Sequence, residues 1–248
     1  MTGLASPATP WTPSLRLWWT RRIAQLLVGL VLYGLALALM VRAGIGLSPW
    51  DVLAQGVSLR TGLSFGLVVN LVGAGVLLLW IAVRERPGVG TLVNVLLIGP
   101  SADLGLWLIP PITEPLEQVV VFAGGMALLA FATALYLGAR LGSGPRDGLM
   151  TGLHRRTGWP VWVVRTGIEV VVVAVGWLLG GQVGVGTVAF ALLIGPMIGV
   201  ALGPLRLPER PGGTQAATGA PDGTGASAPG SAAATPSDPT APREGVST

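Results

Sequence analysis

Six apolar runs constrain this chain more than any other feature: Ile23 to Val41, Phe65 to Val83, Val89 to Ile109, Val119 to Gly138, Val161 to Gly180 and Val185 to Leu205. At about 1.5 Å of rise per residue, each comes close to the roughly 30 Å of a bilayer's hydrocarbon core, given some tilt. With 51% hydrophobic and only 10% charged residues, the 248-residue chain could not cover itself with a polar surface in water. The expectation is an all-α membrane protein with six transmembrane helices. The sixth run is the least regular, because glycines and Pro196 interrupt it.

The chain has no lysine, and its arginines gather at the ends of the apolar runs. With six spans, Arg16, Arg21, Arg22, Arg84, Arg86, Arg140, Arg146, Arg155, Arg156, Arg206 and Arg210 fall on one side, and only Arg42 and Arg60 on the other. Basic loops stay cytoplasmic, so both termini are expected inside a cell (inner or plasma) membrane. These arginines cap spans rather than form a basic stripe, so nucleic acid is not an expected partner despite the net charge of +4. Residues 1–20 and 206–248 are rich in Pro, Gly, Ala, Ser and Thr, and are expected to be disordered cytoplasmic extensions. Arg21-Arg22 before an apolar run resembles a signal peptide, but the run's equivalence to the fourth argues against cleavage.

Sliding the chain on itself by 96 positions, from Asp51 to Asp147, also aligns Pro49 with Pro145 and Gly56 with Gly152. The same shift lays Arg60-Thr61-Gly62 on Arg156-Thr157-Gly158, and GVGTLVNVLLIGP (Gly88 to Pro100) on GVGTVAFALLIGP (Gly184 to Pro196), without a gap. This internal duplication divides the membrane part into repeats at 21–109 and 110–205. Each holds three spans, an odd number, so the second must enter the membrane upside down. Arg84 and Arg86 of the first repeat correspond to Gly180 and Gln182 of the second, whose own Arg140, Arg146 and Arg155 replace Gly44, Trp50 and Leu59. Basic residues thus sit on whichever copy faces inward.

Gly99-Pro100 and Gly195-Pro196 interrupt the third and sixth spans at matching depths. Proline removes a backbone donor and crowds the preceding turn, so both helices are expected to kink or break there. Paired interruptions in inverted repeats point to a transporter's central site; prolines that merely shape packing are the alternative.

Between the first and second spans of each repeat lies an extra segment, PWDVLAQGVSLRTG or PRDGLMTGLHRRTG. Ser48-Pro49-Trp50-Asp51 and Gly144-Pro145-Arg146-Asp147 read as helix starts, with an acid at the third helical position. The helices that follow, roughly 12 residues and about 18 Å long, are too short to span, and so re-enter the membrane or lie in its interface. Asp51 and Asp147 are either caps or, with Ser48, part of a solute path where two re-entrant helices meet.

Arg165 and Glu169 are four residues apart on the fifth span, close enough to pair. Glu169 lies about 12 Å from the span's end, where a charge is a functional candidate by default or one half of a helix-fastening pair. Asp103, one turn past Pro100, is the other deep acid. Proton coupling is assigned to one of the two. Asn70 shares a helix face with Gly66 and Gly73 and matches Thr166; packing and solute contact are the two readings of that pair.

The chain has no cysteine, and its one histidine, His154, has no ligand-type neighbours, so no metal site is expected. No nucleotide-binding, nucleophile-elbow or zinc motif appears, and no nucleophile–base pair, so neither a cofactor nor enzymatic activity is expected.

GIGLSPWDVLAQGVSLRTG, then a span, RERPGVGTLVN and an LLIGP-type helix ending in an Asp, resembles the YczE branch of the YczE/YitT group of bacterial integral membrane proteins, over roughly Arg21 to Leu205. The second copy departs from the pattern, with GPRD in place of SPWD. The resemblance implies a multi-pass inner-membrane protein and brings no substrate or catalytic residue. The functional expectation is a small secondary transporter or exporter with its site at the repeat interface; the alternative is a non-transporting scaffold or regulator. Expected partners are the lipid bilayer, a small solute or ion, and either a second copy of the chain or another membrane protein.

Overall fold

A computed structural model describes residues 15–207. Among them are eight α-helices and no strand: α1 (Leu15–Ala43), α2 (Pro49–Thr61), α3 (Phe65–Val83), α4 (Val89–Leu108), α5 (Pro115–Gly138), α6 (Pro145–Thr157), α7 (Val161–Leu178) and α8 (Val185–Leu205). Six of them, all but α2 and α6, are long and apolar enough to cross a membrane. Leu78, Ile81, Trp107, Val185 and Val200 are exposed on their outer faces, as a lipid-facing surface requires and an aqueous one would penalise. Helix α1 begins at Leu15, so residues 15–20 are helical rather than disordered. The rest of the expected disordered extensions, 1–14 and 208–248, lies outside the described residues.

The 96-residue register holds in the backbone. Helices α2, α3 and α4 start at 49, 65 and 89; α6, α7 and α8 start at 145, 161 and 185. The positive-φ positions pair at the same offset: Gly44 with Arg140, Gly46 with Gly142, Gly62 with Gly158, and Arg84 with Gly180.

Each short helix is held by the other repeat. Helix α2 packs against α7, and α6 against α3. The duplicated GVGT turns anchor the exchange. Gly186 donates its N–H to the Ile45 carbonyl and the Thr187 hydroxyl accepts from the Leu47 N–H, fixing the approach to α2. In the same way Gly90 donates to Leu141 and Thr91 to the Ser143 carbonyl, fixing the approach to α6. Gly46 and Gly142, at φ of 134° and 146°, pass so close to these threonines that a side chain would collide. The line written twice is therefore a pair of clamps, each closing on the opposite repeat.

Helices α1, α5 and α4 form the centre. Small residues let their backbones approach: Gly34 of α1 abuts Ser101 and Ala102 of α4, and Gly125 of α5 abuts Leu39 and Met40 of α1. Helices α7 and α8 are peripheral, only 11% and 17% buried against 44% for α4.

Of the kink or break expected at Gly99-Pro100 and Gly195-Pro196, the break does not occur: α4 and α8 are both helical on either side of the proline. At Pro100 the reason is visible. Proline supplies no N–H to the Leu96 carbonyl, and Asn70 of α3 supplies one instead, its Nδ2 lying 3.3 Å from that oxygen. The Asn70 Oδ1 meanwhile accepts from the Gly99 N–H at 2.9 Å. The amide thus returns a donor to the carbonyl that Pro100 leaves open and accepts a second bond from the same turn, so the helix need not open.

Candidate functional site

The two short helices begin with the same backbone, Ser48 at φ −62°, ψ 154° and Gly144 at φ −61°, ψ 155°, but with different side chains. In α2 the Ser48 hydroxyl accepts from the Asp51 N–H and donates to the Asp51 carboxylate. In α6 Gly144 offers no side-chain cap. Arg146, at the place of Trp50, crosses from α6 to α2: its Nη2 lies 3.3 Å from Asp51 Oδ1, and its guanidinium carbon sits 5.3 Å from the centre of the Trp50 ring. Asp51 and Ser48 are buried beneath this contact. Losing Arg146 would strand a buried carboxylate, a change that typically costs about 3–5 kcal/mol. Trp80 of α3 fixes α6 from behind, donating its indole N–H to the Pro145 carbonyl at 2.8 Å.

Between the two helix starts lies a cavity of about 330 Å³. Ser48, Trp50, Gly144, Arg146 and Asp147 form one part of its wall. Helices α3 and α4 contribute Asn70 and Asn94, α1 and α5 contribute Tyr33, Thr133 and Tyr136, and α7 contributes Arg165 and Glu169. Arg165 Nε donates to Glu169 Oε1 at 2.9 Å, closing the expected i, i+4 pair. The two tyrosines, the only ones in the chain, meet edge to face with ring centres 6.2 Å apart.

Of the three acids at the cavity, Asp51 and Glu169 are each paired with an arginine, and Asp147 forms no ion pair among the described residues. It is exposed and lines the cavity.

The structure thus brings Ser48, Asn70, Asp147, Glu169 and Gly195 to one cavity, with Asp51 directly behind its wall. It does not bring Asp103, Thr166, Gly99, Pro100 or Pro196 there. Asp103 caps α3, accepting from the Ser64 hydroxyl at 2.6 Å and the Gly66 N–H at 2.7 Å. Of the two acids considered for proton coupling, only Glu169 faces the cavity. Tyr33, Asn94, Thr133 and Tyr136 were missed in the sequence, although two lone tyrosines deep in apolar runs were a usable signal. Arg146, counted above as an orientation signal, instead turns inward to Asp51.

The DUF6198 family, described as a family of unknown function, matches residues 20–202. An uncharacterised protein of Haemophilus influenzae is 38% identical over 208 residues, covering 83% of this chain and 95% of that protein. The Bacillus subtilis uncharacterised membrane protein YczE is 33% identical over 178 residues, 71% of this chain and 81% of its own. A second B. subtilis protein, YyaS, is 27% identical over 181 residues, 70% of this chain and 88% of its own. No solved structure matches.

Proposed function

The chain belongs to the DUF6198 family and is a YczE-type multi-pass membrane protein, and from that premise we propose that it is a small secondary transporter rather than an enzyme, with its site in the cavity between the repeats. One observation carries the reading: the starts of two short helices, one from each repeat, converge on a single cavity lined by charges of the second repeat, with Asp51 of the first directly behind its wall. Short helices that stop inside a bundle and aim their ends at a shared cavity are the architecture of substrate sites in inverted-repeat transporters. Polar backbone at such depth is tolerated only where protein or a wet cavity receives it.

In this reading the repeats are inverted, α2 re-enters from outside, α6 re-enters from the cytoplasm, and both termini are cytoplasmic. The absence of cysteine allows a direct test. Leu63 and Trp159 are exposed and occupy equivalent positions after the two short helices. Leu63→Cys should label with an impermeant thiol reagent only from outside, and Trp159→Cys only from inside. Labelling of both from one side would end the inverted arrangement.

Transport itself is tested in proteoliposomes, by following uptake of a panel of organic cations, anions and neutral solutes. Gly73 lines the cavity, and Gly73→Trp should fill it and abolish flux while the protein remains folded. Flux no greater than in protein-free vesicles across the panel would remove the transport reading.

A further inference from the structure

We propose that the cavity binds a small monovalent organic cation, an ammonium group on an apolar body, with Asp147 as its counter-charge. The inference rests on the transport reading and names the substrate class of the same site.

The charges decide the sign. Two arginines line the cavity, and each already has a partner: Arg146 is committed to Asp51 and Arg165 to Glu169. Two arginines against three carboxylates leave one negative charge over, and Asp147 is the carboxylate that no ion pair claims among the described residues. Asp147 is exposed at the cavity wall, so a cation entering the cavity can reach its carboxylate. An anion would find both arginines engaged, and Asp147 offsets the positive end of the α6 dipole.

The repeat explains why the free carboxylate is Asp147 and not Asp51. Ser48 hydrogen-bonds Asp51, whereas Gly144 has no side chain to offer its own acid. A methyl group on Gly144 would sit 3.0 Å from the Tyr136 hydroxyl and 3.2 Å from Asp147 Oδ2. The Tyr136 phenol and the Asp147 carboxylate thus both lie beside Gly144 at the cavity wall, two acceptors suited to an ammonium N–H. Tyr33 and Tyr136 add aromatic surface, which attracts cations, whereas the Trp50 ring is already covered by Arg146. At about 330 Å³, the cavity lies at the small end of the roughly 300–1,000 Å³ usual for ligand sites, which limits the ligand to modest size.

The test is calorimetric titration of the purified full-length protein with phenethylammonium and benzyltrimethylammonium, set against benzyl alcohol and 3-phenylpropionate. At least one ammonium probe should bind, with both uncharged and anionic analogues at least tenfold weaker. Asp147→Asn should weaken ammonium binding at least tenfold, and Asp103→Asn, at an acid that does not line the cavity, less than threefold. If Asp147→Asn does not fold, Gly144→Ser is the second variant: it offers Asp147 the hydroxyl that Ser48 gives Asp51, crowds the Tyr136 hydroxyl and should weaken binding several-fold. Failure of both ammonium probes to bind, tighter binding of the carboxylate probe, or unchanged affinity in Asp147→Asn would overturn the proposal. Asp147-dependent binding without flux would keep this site and remove transport; flux of an anion without ammonium binding would do the reverse.

Discussion

The seam between α3 and α4 and its counterpart between α7 and α8 occupy equivalent places in the two repeats and are built in opposite ways. On the first, Gly66 lets the two backbones touch at Gly99, Asn70 mends the gap at Pro100, and Asp103 ties the start of α3 to α4. On the second the matching residues are Trp162, Thr166 and Gly199, and Pro160 stands where Ser64 would be. None can do the same work. Helix α3 packs along α4, whereas no such packing joins α7 to α8, and a side chain added at Gly195, Gly199 or Gly203 would meet open space. The GVGT clamps are kept in both copies, so the duplication preserved what holds the short helices and gave up one of its two seams. The seam that was given up borders the cavity at Gly195, beside Arg165 and Glu169.

The most damaging test of that contrast is Gly66→Ala. The new methyl would overlap the Gly99 carbonyl, which is backbone and cannot swing aside. The helices must separate, at about 3 kcal/mol. Trp162→Ala at the matching position, where the side chain is exposed, should change stability by less than about 0.5 kcal/mol. Unfolding of the detergent-purified protein in a denaturant series reads both; equal losses would break the comparison.

Asn70→Leu should come next, at roughly 2 kcal/mol, because it leaves the Leu96 carbonyl without the donor that Pro100 cannot supply and takes away the bond from the Gly99 N–H. Asp103→Ala removes an acceptor from the start of α3 and should cost about 1 kcal/mol, the usual worth of a cap. Raised amide exchange at Gly66, with the rest of α3 still protected, would locate that loss at the cap.

How far these seams could be read in advance depends on the range of the forces involved. The six long helices and the two short ones were legible, because hydropathy over a span and a Ser/Gly-Pro-x-Asp start are local signals. The 96-residue register was legible because no gap interrupts it. The role of Asn70 was not: it follows from α3 lying against α4 at the height of Pro100, which the sequence of α3 does not contain. Arg146 misled for a related reason. Counting loop arginines assigns a side to the membrane without saying which way a side chain turns, and its partner, Asp51, is 95 residues away. The crossed anchoring of the short helices likewise becomes visible only once Thr91 and Thr187 meet the opposite repeat.

The smallest expected effect makes the sharpest test. Thr166 sits where Asn70 does, and Pro196 leaves the Leu192 carbonyl without its helical donor as Pro100 does for Leu96. If α7 stands away from α8 in the membrane, Thr166 has no carbonyl to reach, and Thr166→Val should change stability by less than about 0.5 kcal/mol. A loss near that of Asn70→Leu would mean that the second seam closes in the bilayer, with the Thr166 hydroxyl bonded across it. Thr166→Asn separates the cases further: the longer amide can mend Pro196 only if α7 comes within reach. Stabilisation by that change would mark α7 as a helix that closes onto α8, and unchanged stability would mark the gap as standing open beside the cavity.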